Sequence, residues 1–311
     1  MTLLELVERV ERALDEAGVS FGQGTLSSFD EAAWLVLWAL GLPPNTPLND
    51  ATRPSPSLSA QQLNTVEALL KQRIETRKPL AYLTQEAWLQ GVSFYIDERA
   101  IVPRSLIAER LVDGSLDLFL NGPAHRILDL CTGNGSLAIL AAMTYPSSSV
   151  TGADLSEEAL QVARINLVRH GLENRIDLFL GDGLLAPGLP ERGPFDLVLC
   201  NPPYVCASSM ASLPPEFLAE PGLALDGNQS GGSDGMDFVR RLLRELPKHL
   251  SAGGVLVLEI GNERAHFEAA FPALSPLWLE TSAGADQVLV LNRADLEAMT
   301  PLAATSAFNR A

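Results

Sequence analysis

An alternation of short apolar runs with helical patterns fills the sequence from about residue 125 onward, and no other feature restricts the fold as much. Seven runs read as strands, at residues 126–130, 149–154, 175–180, 195–201, 254–260, 277–281 and 287–292. Amphipathic helical patterns lie between them near residues 136–145, 156–170 and 237–250, and another begins at about residue 262. This order predicts an α/β fold with a mostly parallel seven-stranded sheet. Ligands of such sheets bind outside the carboxyl ends of the strands, where the strand order reverses.

The first 86 residues have a different character and predict a small N-terminal helical domain. Three capping boxes open its helices: Thr2 with Glu5, Ser28 with Glu31, and Ser59 with Gln62. A linker rich in Pro, Asn and Ser covers about residues 42–58. Residues 87–104 read as a linking β-hairpin, and residues 105–311 as the second domain. Because residues 1–86 hold no cluster of catalytic residue types, we expect this domain to select the substrate. Simple packing against the second domain is the alternative.

Charge and cysteine content restrict the partners. The chain carries 22 Lys and Arg against 38 Asp and Glu, a formal net charge of -16. Such an acidic surface disfavours binding to bare nucleic acid and attracts a basic protein or a cationic cofactor. Without a membrane-length apolar run or a basic signal-peptide start, we expect a cytoplasmic protein with no membrane contact. Cys131, Cys200 and Cys206 have no metal-ligand spacing, so we expect free thiols and no metal.

One apolar strand, at residues 195–201, ends abruptly in Asn201-Pro202-Pro203-Tyr204. Two consecutive prolines cannot continue a sheet ladder, which leaves nearby carbonyl groups free to accept hydrogen bonds from a ligand. Asn201 adds a side-chain carbonyl, and Tyr204 adds a flat ring that can stack on a planar group. This Asn-Pro-Pro-Tyr motif therefore suits a planar NH2 group, an amide or an exocyclic amine. The alternative is a strand followed by a Pro-Pro turn.

A glycine loop, residues 129–135, follows the first strand of the sheet and allows a ligand to approach the backbone closely. It lacks the lysine of a phosphate loop and the third glycine of a dinucleotide fingerprint. Asp154 ends the next strand, where a carboxylate can accept both hydroxyl groups of a ribose. Asp182 follows the third strand and could accept a hydrogen bond from an adenine amine. The alternatives are a tight turn for the loop and a helix N-cap for each aspartate. Acidic strand ends around a glycine loop favour a positively charged nucleoside.

With these motifs the sequence resembles the class I, Rossmann-like methyltransferases that use S-adenosylmethionine. The Asn-Pro-Pro-Tyr motif is typical of the branch that methylates planar amines. Within it the chain is similar to the bacterial protein-glutamine methyltransferases, in the branch that acts on the third protein of the large ribosomal subunit. The segments that carry this similarity are Pro79–Leu83, Phe94–Ser105, Ile127–Gly135, Phe21–Thr25 and Phe29–Ala32.

The resemblance implies methyl transfer from S-adenosylmethionine to a glutamine side-chain amide, with roles for particular residues. The candidate cofactor contacts are Asp129, Thr132, Gly133, Asn134, Gly135, Asp154, Leu155, Asp182, Gly183 and Asn201. The candidate substrate contacts are Asn201, Pro202, Pro203, Tyr204 and Arg104, and of these Asn201, Pro202 and Tyr204 are the candidate catalytic residues. Arg104 could instead form a salt bridge with Glu98 or Glu109. Residues 227–235 depart from the family pattern and predict a flexible stretch.

Other functions remain open at this point. The related enzymes that methylate peptide-chain release factors share the catalytic motifs. A DNA adenine methyltransferase can carry Asn-Pro-Pro-Tyr, but it needs a basic recognition region, and the acidic charge therefore argues against direct DNA binding. A non-enzymatic ribosome-assembly factor would have no need of an intact motif. The expected partner is a basic ribosomal protein of the large subunit or a release factor.

Overall fold

The computed structural model describes residues 1–49 and 58–299, and the chain forms two compact units. The first unit comprises Met1–Arg104 together with Ala211–Ala224, and the second comprises Ser105–Met210 and Leu225–Ala311. Part of the predicted linker, residues 50–57, and the C-terminus from residue 300 lie outside the described residues. The first unit thus takes one segment from within the stretch that the sequence assigns continuously to the second domain.

The first unit is built from helices around one apolar core. Its helices are α1 (Leu3–Glu16), α2 (Ser28–Ala39), α3 (Ala60–Thr76) and α4 (Leu80–Thr84), followed by the antiparallel hairpin of β1 (Ala87–Leu89) and β2 (Val92–Phe94). Capping boxes at Thr2 and Ser59 are present as predicted, and so is the hairpin. The predicted box at Ser28 is wrong, because the preceding Ser27 accepts the N–H of Asp30 and caps α2. Glu31 is instead buried and paired with Arg73.

Buried ion pairs explain why residues 211–224 belong to the first unit. The Arg73 side chain is fully buried, and its Nε lies 2.7 Å from Glu31 Oε1. Glu216 Oε1, also buried, lies 2.6 Å from Arg77 Nε. Arg104 donates through both terminal nitrogens to the two oxygens of Glu220, at 2.6 and 2.8 Å. Charge-assisted bonds of this kind hold the segment to α3 and to the end of the hairpin region. Arg104 therefore forms a two-bond salt bridge with Glu220, a partner that the sequence analysis did not consider.

The second unit contains a seven-stranded sheet in the order β5-β4-β3-β6-β7-β9-β8. Its strands are β3 (Arg126–Leu130), β4 (Ser149–Asp154), β5 (Ile176–Leu180), β6 (Phe195–Cys200), β7 (Leu250–Glu259), β8 (Leu277–Thr281) and β9 (Gly284–Asn292). All neighbours are parallel except the pairs that include β9. The prediction of a mostly parallel α/β sheet is confirmed.

Helices connect the strands of the second unit, as the alternating pattern predicts. They are α5 (Ile107–Val112), α6 (Ser136–Thr144), α7 (Glu157–His170), α8 (Asp237–Glu245), α9 (Arg264–Ala270) and α10 (Arg293–Met299). Short helical turns also occur at Ala207–Met210 and Pro215–Leu218, the second of these in the first unit. Among the described residues, none of the helices has the length and apolar character needed to cross a membrane.

The strand order reverses between β3 and β6, in the middle of the sheet. On one side of β3 the sheet continues with β4 and then β5, whereas on the other side it continues with β6 and then β7. Leu130 pairs with Cys200, so both strands end at the same level. Their interiors are fully buried, with Leu128 and Val198 in a single core. The chain segments that follow β3 and β6 therefore meet at the carboxyl edge, where parallel sheets bind ligands.

Candidate active site

The glycine loop forms the turn from β3 to α6. Cys131, Gly133 and Gly135 have φ values of 61°, 55° and 80°, in the left-handed region. A Cβ atom on Gly135 would lie 3.1 Å from Cβ of Ala163, on α7. Glycine is required there both by the backbone conformation and by the close approach of α7. The Gly135 N–H donates to the Thr132 carbonyl at 2.9 Å and closes the turn.

Asp129 lies beneath this loop and is fully buried within β3. Its Oδ2 accepts hydrogen bonds from Thr132 Oγ1 at 2.5 Å and from the Ala138 N–H at 2.9 Å. Within the described residues its Oδ1 is buried and has no partner. Burial raises the pKa of the carboxyl to about 7. One oxygen thus shapes the loop, and the other is left for a donor or cation.

Asp154, at the end of β4, is tied to the same loop. Its Oδ2 accepts the Gly133 N–H at 2.8 Å, and its Oδ1 accepts the Ser156 N–H at 2.9 Å. Burial raises the pKa of this carboxyl as well. The alternative role as a helix N-cap is wrong, because Ser156 caps α7 through its own side chain. Leu155 follows with its side chain about half exposed.

The loop side chains Thr132 and Asn134 have local partners. Thr132 donates to Asp129, and Asn134 Oδ1 accepts the Ser136 N–H at 2.9 Å. Asn166 on α7 donates to the Asn134 carbonyl, also at 2.9 Å. These two residues therefore fix the shape of the loop through their own hydrogen bonds.

Asp182 follows β5 and forms an ion pair that the sequence did not predict. Both of its oxygens accept from Arg241 on α8, at 2.7 and 2.8 Å, while its side chain stays 44% exposed. It makes no side-chain capping bond to the 3-10 turn that starts at Gly183. An adenine amine would therefore share or replace the guanidinium of Arg241. Gly183 has a φ of 60°, so its conformation favours glycine.

The Asn-Pro-Pro-Tyr motif lies at the end of β6, next to the glycine loop in the sheet. Pro202 is buried, and Asn201, Pro203 and Tyr204 are partly buried. The regular ladder of β6 ends at Cys200, as the two prolines require. The Asn-Pro-Pro-Tyr motif and the glycine loop therefore lie at the same edge of the sheet. Asp129 and Asp154 hold the glycine loop in shape.

A glycine that the sequence analysis missed determines where the Tyr204 ring can lie. A Cβ atom on Gly261 would fall 2.5 Å from Cε2 of Tyr204 and 2.9 Å from both its Cζ and its hydroxyl oxygen. The ring therefore packs directly on the backbone that follows β7. Gly261 stands one residue past the buried Ile260, at the carboxyl end of a strand. Its position directly after a buried strand of a parallel sheet could have identified Gly261 as a candidate site residue from the sequence.

Residues 227–235, predicted to be flexible, are instead hydrogen-bonded to the chain that follows Tyr204. Asn228 donates from Nδ2 to the Val205 carbonyl at 3.0 Å and accepts the Gly235 N–H at 2.8 Å. A Cβ atom on Gly235 would lie 2.0 Å from the Tyr204 carbonyl oxygen. On the other side Glu263 accepts the Cys206 N–H at 3.2 Å. Both sides of the segment after the motif are therefore fixed.

The residues at this edge fit a positively charged nucleoside cofactor. The unpaired Oδ1 of Asp129 and the carboxylate of Asp154 are acidic, and the Gly133 N–H of the glycine loop donates to Asp154. An anionic pyrophosphate would be repelled by these two groups, whereas a sulfonium or ammonium group would be attracted.

Comparison with known proteins agrees with this geometry. Residues 121–286 match a family described as a methyltransferase domain. A ribosomal protein uL3 glutamine methyltransferase from Bordetella pertussis is 48% identical over 299 residues, covering 95% of this chain and 96% of that protein. One from Burkholderia pseudomallei is 46% identical over 308 residues, covering 96% of each. The hMettl16 catalytic domain, solved with a MAT2A 3'UTR hairpin, is 16% identical with a TM-score of 0.50, covering 79% of this chain and 84% of that one, which bears on the fold alone.

The fold and the matched domain define a class I methyltransferase, an enzyme whose methyl donor is S-adenosylmethionine. Identity above 40% over nearly the whole chain narrows this class further. The chain belongs to the family of ribosomal protein uL3 glutamine methyltransferases.

Proposed function

We propose that the protein transfers a methyl group to the side-chain amide nitrogen of a glutamine in ribosomal protein uL3. The observation that carries this proposal is the Asn-Pro-Pro-Tyr motif at the switch point, directly beside the loop of Asp129 and Asp154. The family names support the choice of uL3 as substrate. A ribosomal substrate also implies that the reaction takes place in the cytoplasm.

The catalytic roles follow from the chemistry of an amide. Its nitrogen lone pair is delocalised, so the enzyme has to align the group and exclude water rather than provide a strong base. The Asn201 side-chain oxygen and the Pro202 carbonyl each accept a hydrogen bond from one N–H of the amide. Tyr204, held by Gly261, packs on the amide plane. Pro203 keeps the turn rigid. Together these residues would leave the nitrogen free to attack the methyl carbon: a nitrogen–carbon bond forms, the sulfur–methyl bond breaks to leave a neutral thioether, and the amide loses one proton to solvent.

The cofactor contacts are assigned to the other side of the switch point. When bound, S-adenosylmethionine supplies a methyl group on a positively charged sulfur. Asp154 would accept the ribose hydroxyl groups, and the backbone of residues 133–135 would line the approach. Asp129 holds the loop in place and adds negative charge near the cation. Asp182 and Gly183 would lie at the edge of the adenine base, and Leu155 would offer an apolar contact to the cofactor.

The rival functions fit less well. A DNA adenine methyltransferase has to bind a polyanion, and this chain, with a formal net charge of -16, would repel one. Release factors remain the alternative protein substrate, because a glutamine amide is recognised by the same motif. Arg104 forms a salt bridge with Glu220, in the segment of residues 211–224. We therefore assign Arg104 to positioning this segment rather than to substrate binding.

The experiment is methyl transfer to two purified substrates in competition, with peptide mass spectrometry as the readout. Wild-type enzyme should add one methyl group to a glutamine of uL3 and act much more slowly on a release factor. Cells that lack the gene should lose the same mark from uL3. Equal rates on both proteins would contradict the assignment to uL3, and no methylation of either would contradict the proposed reaction.

A further inference from the structure

The first unit concentrates buried polar atoms that have no hydrogen-bond partner. In the described part of the chain six buried side-chain nitrogen or oxygen atoms lack one, and four of these belong to this unit. They are both amide atoms of Gln23, the indole nitrogen of Trp34 and Oε2 of Glu216. Buried polar atoms in native structures are nearly all paired with protein or ordered water, so four within one unit mark a place where a further partner binds, either water or a ligand.

The two glycines that flank Gln23 lie next to the other segments that carry unpaired atoms. A Cβ atom on Gly22 would lie 3.1 Å from the ring of Phe217, the residue that follows Glu216. A Cβ atom on Gly24 would lie 3.7 Å from the ring of Trp34. Gln23 is therefore flanked on one side by the Glu216 segment and on the other by Trp34.

The loop that carries Gln23 is firmly held at its base. The Gly22 N–H donates to the Thr25 carbonyl at 2.9 Å, and Thr25 Oγ1 donates to Glu31 Oε2 at 3.1 Å. Glu31 in turn pairs with the buried Arg73. A loosely placed loop therefore does not explain the unpaired amide.

The unpaired atoms include both donors and acceptors, as needed to bind the N–H and C=O that one residue of an extended chain presents on the same side. Gln23 Nε2 and Trp34 Nε1 are donors, whereas Gln23 Oε1 and Glu216 Oε2 are acceptors. A carboxamide can exchange two hydrogen bonds with a main-chain N–H and C=O. The carboxylate disfavours an anionic ligand, and the N–H donors disfavour a metal ion. We propose that Gln23 binds the main-chain N–H and C=O of one extended residue of the substrate protein, which makes this loop a substrate subsite; the inference rests on the proposed protein substrate.

The backbone on either side of Gln23 permits the movement that this contact needs. Gln23 is only 3% exposed in the free protein, so the substrate reaches it when the loop opens. Gly22 and Gly24 have φ values of 123° and 96°, in a region that costs glycine little and other residues much. Opening the loop breaks the hydrogen bond between the Gly22 N–H and the Thr25 carbonyl, whereas the bond between the Thr25 and Glu31 side chains keeps the base of the loop in place.

The test replaces Gln23 by Met, which has a similar shape and no amide. Removing unpaired polar atoms without creating a cavity should leave Tm unchanged or raise it. The peptide contact concerns a part of the substrate that does not react, so its loss should raise KM for uL3 about tenfold with kcat and cofactor Kd unchanged. Trp34→Phe, which keeps an aromatic ring but removes the indole N–H donor, should raise KM by a smaller factor. Gln72→Met, at an exposed position on α3, is the control and should change nothing.

The outcomes separate this inference from the proposed function. An unchanged KM in Gln23→Met, with Tm either raised or lowered, would overturn the subsite while wild-type activity on uL3 still stood. If the wild type methylates a release factor rather than uL3, the same comparison is made with that protein, since any protein substrate offers peptide groups.

Discussion

Gly261→Ala tests whether the position of the Tyr204 ring controls catalysis. The added Cβ would lie 2.5 Å from Cε2 of Tyr204, whereas ordinary contact begins at 3.4 Å, so the ring must retreat by about 0.9 Å. Misplacing a positioning group by about 1 Å can cost on the order of 10²-fold in rate. We therefore expect kcat to fall about 100-fold, equivalent to roughly 2.7 kcal/mol of activation free energy.

The substitution also strains the backbone, and a matched variant separates that effect. Gly261 has a φ of 52°, and an alanine there costs about 1–2 kcal/mol of folding free energy. Gly171, at the end of α7, has a φ of 65° and nothing within 4 Å of its Cβ position. Gly171→Ala should therefore lower Tm by a similar amount, roughly 2–8 °C, and leave kcat unchanged.

The assay is single-turnover methyl transfer with saturating cofactor and substrate, accompanied by calorimetry for cofactor binding. Cofactor Kd should be unchanged in both glycine variants, because Gly261 follows β7 and the glycine loop follows β3. In a Tyr204→Ala background, Gly261→Ala should add almost no further loss, since the ring it displaces is gone. If Gly261→Ala turned over as fast as Gly171→Ala, ring placement would not be the catalytic role of Tyr204.

Three further expectations concern the groups at the strand ends and one concerns charge. Asn201→Ala should lower the single-turnover rate constant by about 10²–10³-fold and leave cofactor Kd unchanged. A rate constant within a few-fold of wild type would reject the mechanism. Asp154→Ala should weaken cofactor binding at least about tenfold in calorimetry, because a charged acceptor is lost; unchanged affinity would refute its ribose role. The pKa of Asp129 is raised to about 7, so ligand-free stability should fall as pH rises toward 7 while cofactor affinity rises through the same range; Asp129→Asn should flatten the affinity profile. Added salt should slow association with a basic substrate, measured by stopped flow, and a salt-independent rate would contradict charge steering.

The architecture was predictable because the chemistry of the sheet is local in sequence. Each buried strand is one apolar run, and the runs at 126–130, 149–154 and 277–281 coincide with β3, β4 and β8. The polar residues at the strand ends follow from the same pattern. Once the sheet is known to be parallel, Asp154 and the Asn-Pro-Pro-Tyr motif must come to the same edge.

The partners of these residues were not predictable, because they depend on contacts between distant segments. Asp182 and Arg241 are 59 positions apart, and Arg104 and Glu220 are 116 apart. In each case several oppositely charged residues were available, and only the three-dimensional arrangement selects one. The serine that caps α2 was misplaced for a local reason, since Ser27 and Ser28 are neighbours and either could serve.

Residues 227–235 show why composition misled the sequence analysis. Gly, Ser, Asn and Asp are typical of mobile loops, but the same residues form side-chain turns that hold a backbone in one conformation. Here Asp237 accepts the N–H groups of Ser230 and Gly232, and Asn228 bridges to Val205. This segment contacts the backbone of Tyr204 and Val205, whereas Gly261 contacts the Tyr204 ring. The amide-binding motif is thus short in sequence, but its geometry depends on residues that follow β6 and β7. A substitution in either supporting segment should therefore reduce turnover without touching the cofactor loop.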